Sequence, residues 1–169
     1  MDVVVQAANL LRDQKDILFR IVGREPERLR GDRLVSRLAL KNVEMIDWLP
    51  YHELPHQIER SSICLGGHFS TYEKANRVIA SKTYQYLAMR KATIVGRAKA
   101  NTELLKDGRD AIMCERGSPE SLANCILSLK EDRDLTRRIA DNGYRRFREQ
   151  ATPEIIGKQL GTILGGMLN

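Results

Sequence analysis

From Lys74 to Thr102 the chain contains no acidic residue and seven basic ones: Lys74, Arg77, Lys82, Arg90, Lys91, Arg97 and Lys99. A local field of that sign attracts phosphate, whether on a nucleotide, a nucleic acid or a membrane surface; a merely solvated basic face is the plain alternative. Within the run, Ile79, Ala80 and Ser81 lie on a loop that enters a helix predicted over 81–90, with Ser81 as its N-cap. Unbonded backbone N–H groups and the positive end of the helix dipole favour an anion at such a point. Lys82 falls in the first turn, where a cation is unfavourable by itself. Its placement makes sense against a diphosphate; otherwise it is an ordinary surface lysine.

Other side chains offer different chemistry. His68 follows Gly66-Gly67 at the carboxyl end of a predicted strand, a position suited to an acid, a base or a phosphate contact. His52 and His56 lie four apart with Glu53 between them, but Leu54-Pro55 spoils the helix that a zinc pair would need. No nucleophile elbow, P-loop or Gly-x-Gly-x-x-Gly run is present, and no acidic cluster calls for a divalent metal. Cys64, Cys114 and Cys125 are odd in number, lack metal-ligand spacing and sit among apolar neighbours. They read as buried reduced thiols of a cytoplasmic protein.

The elements that must position these residues alternate short β-rich runs with longer amphipathic ones. Strands are predicted over 17–23, 43–50, 62–67, 92–96 and 111–114, and helices over 3–12, 27–40, 51–61, 81–90, 101–108, 118–132, 134–150 and 152–169. Strands alternating with helices imply an α/β fold: a Rossmann-like, doubly wound parallel sheet with helices on both faces. Ligands of such sheets sit beyond the carboxyl ends of the strands, here Gly23-Arg24, Trp48-Leu49-Pro50 and Gly66-Gly67-His68. The chain opens on a helix, whereas a 3-2-1-4-5-6 order needs a central first strand ahead of it. The expectation is therefore a sheet whose first strand is missing, with the edges of ILFRIVG and SICLGG left unpaired.

Composition sets the frame. With 169 residues, 42% apolar and 30% charged, the chain suits one domain over residues 1–169. No apolar run approaches the roughly 18 residues of a membrane span, and MDVVVQAANLLRDQ lacks a basic n-region and a cleavage site. A cytoplasmic location is expected, with the net charge of +6 allowing peripheral association with the membrane's cytoplasmic face. Three Phe, five Tyr and one Trp, scattered along the chain, are too few for a base-stacking platform, so no nucleic-acid partner is expected.

Three motifs in order sharpen this reading. Tyr86-Leu87-Ala88-Met89-Arg90-Lys91-Ala92-Thr93-Ile94-Val95 is followed by Glu103-Leu104-Leu105-Lys106-Asp107-Gly108-Arg109-Asp110-Ala111 and by Gly117-Ser118-Pro119-Glu120-Ser121-Leu122-Ala123. With Ile21-Val22-Gly23 upstream, the series closely resembles the carboxy-terminal domain of GT-B, GT4-type (group 1) glycosyltransferases over nearly the whole chain.

The resemblance implies a lobe that binds a nucleotide-diphosphate sugar. Its amino-terminal partner lobe would hold the acceptor, and transfer would retain the anomeric configuration. No metal or other cofactor is implied. In the family, a glutamate pair flanks the phosphate-binding loop. Gln85 occupies the position of the second, which holds the ribose; its amide oxygen can still accept a hydroxyl hydrogen bond. Arg77 occupies the position of the first, reversing its charge, with Glu73 nearby. Phosphate-binding amides carry over to Ile79, Ala80 and Ser81, and Gly23-Arg24 ends the strand that meets the nucleotide. The base is expected against Leu49 and Tyr51. Arg77, Lys82 and His68 are the catalytic candidates, the two cations acting by offsetting leaving-group charge. Loss of both glutamates keeps a degenerate binding or scaffold domain open, and an epimerase or phosphorylase lobe of the same fold is the other alternative.

Overall fold

The structure is a computed structural model that describes residues 1–167. Helix α1 (Asp2–Leu10) opens it, followed by strand β1 (Phe19–Val22), helix α2 (Glu27–Arg37) and strand β2 (Val43–Ile46). A single 3-10 turn (Tyr51–Glu53) runs into helix α3 (Leu54–Glu59). Next come strand β3 (Ile63–Gly67), a second 3-10 turn (Glu73–Asn76), helix α4 (Ser81–Ala88) and strand β4 (Ala92–Gly96). Helix α5 (Lys99–Leu104), strand β5 (Ile112–Cys114) and helices α6 (Pro119–Glu131), α7 (Arg133–Gln150) and α8 (Pro153–Met167) complete it. Of the helix predicted over 152–169, Leu168 and Asn169 lie outside the described residues.

All strand pairs are parallel, and along β4 and β5 the side chains alternate between two cores as a period of two requires. Ala92, Ile94 and Cys114 face a cluster built with α1 and α6, which includes Val5, Ala8, Leu122, Ile126 and Leu129. Val95 and Met113 face the opposite side, against Leu87 of α4, Leu105 and Phe147 of α7. Strand β4, buried at every residue, is thus covered on both faces. The predicted stripe of α1 is largely kept: Ala7, Ala8 and Leu11 are buried, joined by Val5, while Val4 is only half-buried. Helix α6 begins as its sequence predicts, with the Ser118 hydroxyl accepting the Ser121 N–H at 3.0 Å. Helix α4 does not: Ala80 is its N-cap, Ser81 is already helical, and no side chain caps the turn. Pro55 does not break α3, because it falls in the first turn, where its missing N–H has no helical partner to lose.

The sheet is in two parts. Strands β1 and β2 form one pair, and β3, β4 and β5 form a second group in that order. Between β1 and β3 lies a cleft of about 1740 Å³. Phe19 and Ile21 line one wall, Ile63 and Leu65 the other, and Ile126 and Leu129 of α6 lie beneath. The sequence expectation of an unfilled position between these two strands is the arrangement found.

Candidate functional site

The carboxyl ends of β1, β2 and β3 open on the same cleft, which Val22, Trp48, Leu49, Gly67, His68, Lys82 and Gln85 all line. Two glycines let the segments close on one another. At Gly66 a Cβ would meet Thr83 Oγ1 at 2.7 Å and Val95 Cγ1 at 3.0 Å, so its absence lets α4 approach β3. Thr83 then donates its hydroxyl to the Gly66 carbonyl at 3.2 Å, fixing the first turn of α4 beside the strand end. At Gly96 a Cβ would collide with the His68 carbonyl, so the exit of β4 must be bare for the loop after β3 to lie against it. Gly67, with φ +78, adopts a backbone conformation open to glycine at little strain.

Lys82 lies across Gly67: its Cε and Nζ would be 3.3 and 3.6 Å from a Cβ built there. It remains accessible to water, yet it projects between the walls of the cleft, and the lost solvation lowers its pKa below 10.5. His68 is half-buried beside it. Burial lowers the His68 pKa below 6.5, and the positive charges of Lys82 and Arg116 push it the same way. Arg116 is anchored by donating to the Ser70 carbonyl at 2.9 Å and the Tyr72 carbonyl at 2.5 Å. The site is therefore a cationic recess whose imidazole is neutral at neutral pH.

In the first turn of α4, the Thr83 N–H bonds to the Ala80 carbonyl at 2.8 Å, while the Ser81 and Lys82 amides precede any helical acceptor. Ile79 and Ala80, half-buried, lead into that turn. Gln85 lies one turn on and donates to the Tyr51 hydroxyl at 3.4 Å, bringing the loop after β2 against α4. Gly23 ends β1 with its N–H on the Ile46 carbonyl at 3.1 Å. The Arg24 guanidinium stacks 5.0 Å from the Trp48 ring centroid. Leu49 is half-buried, and Tyr51 is 72% exposed. Arg77 does not face the recess from an ordered helix: it ends the 3-10 turn and pairs with Glu73 at 3.4 Å, both side chains largely exposed.

The acid-free run of the sequence is not acid-free in space. Arg90 pairs with Asp141 at 2.6 Å, and Arg97 bridges Asp107 at 2.5 Å and Glu115 at 2.9 Å. Lys91 donates to the Glu59 carbonyl at 2.6 Å. Among the described residues, Lys82 has no carboxylate partner, and it is the base of the run that lines the cleft. The sequence marks Trp48 only as part of a strand end, and it does not mark Arg116 at all. Arg116 lies well beyond the basic run, and nothing local marks its return to the loop after β3.

The structure is of the doubly wound α/β class, with a cationic recess at the carboxyl edge of its strands. The glycosyl transferase-like family matches residues 5–160, and the chain belongs to that family. No curated protein matches it in sequence. Among solved structures it is similar to a glycosyltransferase from Rickettsia africae, with TM-score 0.81 and 17% identity, over 99% of this chain and 44% of that one. Anabaena Alr3699/HepE in complex with UDP-glucose gives TM-score 0.82 and 17% identity, over 98% of this chain and 45% of that one. The C-terminal domain of the group 1 family glycosyl transferase LpcC from Francisella tularensis gives TM-score 0.74 and 19% identity, over 90% of this chain and 80% of that one. The fold is that of the carboxy-terminal lobe of GT-B glycosyltransferases, and the chain spans less than half the length of the two larger structures.

Proposed function

We propose that residues 1–169 form the donor lobe of a glycosyltransferase and bind the nucleotide-diphosphate part of an activated sugar. One observation carries the reading: Lys82, without a carboxylate partner among the described residues, lies at the start of α4 beside Gly67 and His68 in the cleft at the strand ends. In this reading the Ser81 and Lys82 amides, approached through Ile79 and Ala80, take phosphate oxygens, and Lys82 supplies the countercharge. Gln85 accepts from a ribose hydroxyl, and Gly23-Arg24 with Leu49 and Tyr51 border the base. Family membership and the UDP-glucose complex of the Anabaena protein support a nucleotide sugar over a bare anion. They also favour transfer over the epimerase and phosphorylase alternatives.

The acceptor belongs to a second lobe. That part of the reading is supported by the share of the similar glycosyltransferases that this chain spans. It is also supported by α8, whose Ile156, Leu160, Ile163 and Leu164 present an apolar stripe that is at least half exposed. Transfer with retention follows from the GT4 resemblance of the sequence. A cytoplasmic setting, at the membrane's cytoplasmic face, fits the net charge of +6; none of the described helices is long and apolar enough to cross a membrane.

Calorimetric titration with a panel of nucleoside diphosphates and their sugars tests the site. Lys82→Glu is expected to weaken diphosphate binding by about 1–3 kcal/mol, the scale of a charge-assisted hydrogen bond. Unchanged affinity in a folded variant would remove Lys82 from the site.

A further inference from the structure

A second basic cavity lies apart from the strand-end cleft and shares no lining residue with it. Its origin is in the sequence of α7, which carries six arginines against three acids. Helical spacing brings Arg138, Asn142, Arg145 and Glu149 to one face. Two of the acids are already engaged: Asp134 pairs with Arg137 at 3.3 Å, and Asp141 with Arg90 at 2.6 Å. Among the described residues, no carboxylate stands within ion-pair distance of Arg138, Arg145 or Arg146.

The turn at 106–110 closes the cavity against that helix. At Gly143 a Cβ would meet the Asp110 carbonyl oxygen at 2.6 Å and Leu87 Cδ2 at 2.8 Å, so the bare backbone lets the turn lie directly on α7. The Asp110 carboxylate, 0% exposed, accepts the Lys106 N–H at 3.0 Å and the Arg109 Nε–H at 2.8 Å. Arg146 is held from another side, its Nε–H donating to the Leu104 carbonyl at 2.6 Å. Both guanidiniums are therefore fixed through Nε, and among the described residues their terminal Nη groups find no protein acceptor. Forks held in place before binding lose little freedom when an oxyanion arrives.

The cavity, of about 260 Å³, is lined by Arg109, Asp110, Asn142, Arg145, Arg146 and Glu149. Three guanidiniums against two carboxylates leave one positive charge, and Arg138, one helical turn before Asn142, adds another. That excess suits a dianion whose oxygens can be met from several directions, as a phosphomonoester offers. No aromatic or apolar side chain lines the space, so a nucleobase has nothing there to stack on.

We propose that this cavity between the turn at 106–110 and α7 is an anion site for a phosphomonoester group, carried by a small soluble ester or by a lipid headgroup. Arg109 and Arg146 supply the fixed forks, Arg145 closes over the phosphate, and the Asn142 amide adds a neutral donor. The proposal does not depend on what the strand-end recess binds.

The test titrates the whole 169-residue chain with glycerol 3-phosphate at constant ionic strength, read from amide and arginine Nε–H resonances. Saturable shifts are expected over 106–110 and 142–149. Arg145→Gln is expected to weaken this binding about tenfold, the scale of one lost charge-assisted hydrogen bond. Arg145 makes no hydrogen bond among the described residues, so this variant leaves the turn and the helix intact. Arg33→Gln, at an exposed position on α2, removes the same charge elsewhere, and Lys82→Glu alters the strand-end recess. Both are expected to leave the midpoint at 106–110 and 142–149 unchanged. Equal weakening by Arg33→Gln would reduce the effect to general charge attraction and overturn the proposal. Weakening by Lys82→Glu but not by Arg145→Gln would overturn it too, by placing the phosphate in the recess. Co-sedimentation with phosphatidylcholine vesicles carrying phosphatidic acid or, at matched surface charge, phosphatidylglycerol separates the two sources. An Arg145-dependent preference for phosphatidic acid assigns the lipid headgroup; saturable binding of glycerol 3-phosphate without that preference assigns the soluble ester. Neither saturable shifts nor such a preference would leave no phosphomonoester site at all, and the proposal would fall.

Discussion

At the scale of single residues, the cationic recess should reveal itself through His68. Burial, reinforced by Lys82 and Arg116, disfavours the imidazolium in the folded chain. As pH falls, the unfolded chain takes up this proton first. Between the ordinary value of 6.5 and the lower folded value, stability therefore declines with falling pH. His68→Gln is expected to lose less stability than the parent on going from neutral to mildly acidic solution, as read from urea midpoints. In the parent, the His68 ring signals should titrate below 6.5 when free and shift upward when a nucleoside diphosphate is added, because the ligand's negative charge opposes that of the two cations. A midpoint at or above 6.5 in the free chain would show that the two cations do not act on this ring.

At the scale of elements, the site depends on how closely the loop after β3 approaches the exit of β4. Gly96 makes that approach, with the His68 carbonyl where a Cβ would stand and Arg116 Cγ 3.1 Å from the same point. Backbone cannot yield as a flexible side chain does, so Gly96→Ala should destabilise the chain by about 1–3 kcal/mol, the range of overpacked interiors. It should also displace the amide resonances of residues 67–70, not those of α6 or α7. A urea midpoint unchanged from the parent would mean that the loop moves freely and does not hold His68 in place.

For the molecule as a whole, binding and turnover should separate. Transfer depends on holding donor and acceptor together in reacting geometry, which can supply several kcal/mol of the barrier. The purified 169-residue chain presents the cleft at its strand ends and spans 44% of the Rickettsia glycosyltransferase. It is expected to bind a nucleoside diphosphate yet to transfer no labelled sugar to any acceptor over a long incubation. Detectable glycosyl transfer by this chain would place acceptor binding and chemistry within it, and would require α8 or the cleft itself to host the acceptor.

Local sequence determined the order of elements, because period-two and helical patterns and caps such as Ser118 act over a few residues. It placed β4 and β5 almost to the residue, since continuous apolar runs have only one burial solution between two helix layers. The strands predicted over 17–23 and 43–50 are each reduced to four residues, β1 and β2, because only those residues find a parallel partner. The recess lies at the start of α4, and its charge could not be read along the chain. Arg90, Arg97 and Lys91 are neutralised or occupied by partners 51, 18 and 32 residues away. Arg116 reaches the loop after β3 from 46 residues beyond it. Which cation of the run lines the cleft, how far His68 is desolvated, and that β1 and β3 stand apart around a cleft are consequences of packing between distant segments. Tertiary structure alone decided them, because electrostatic and hydrogen-bond partners are set by distance in space.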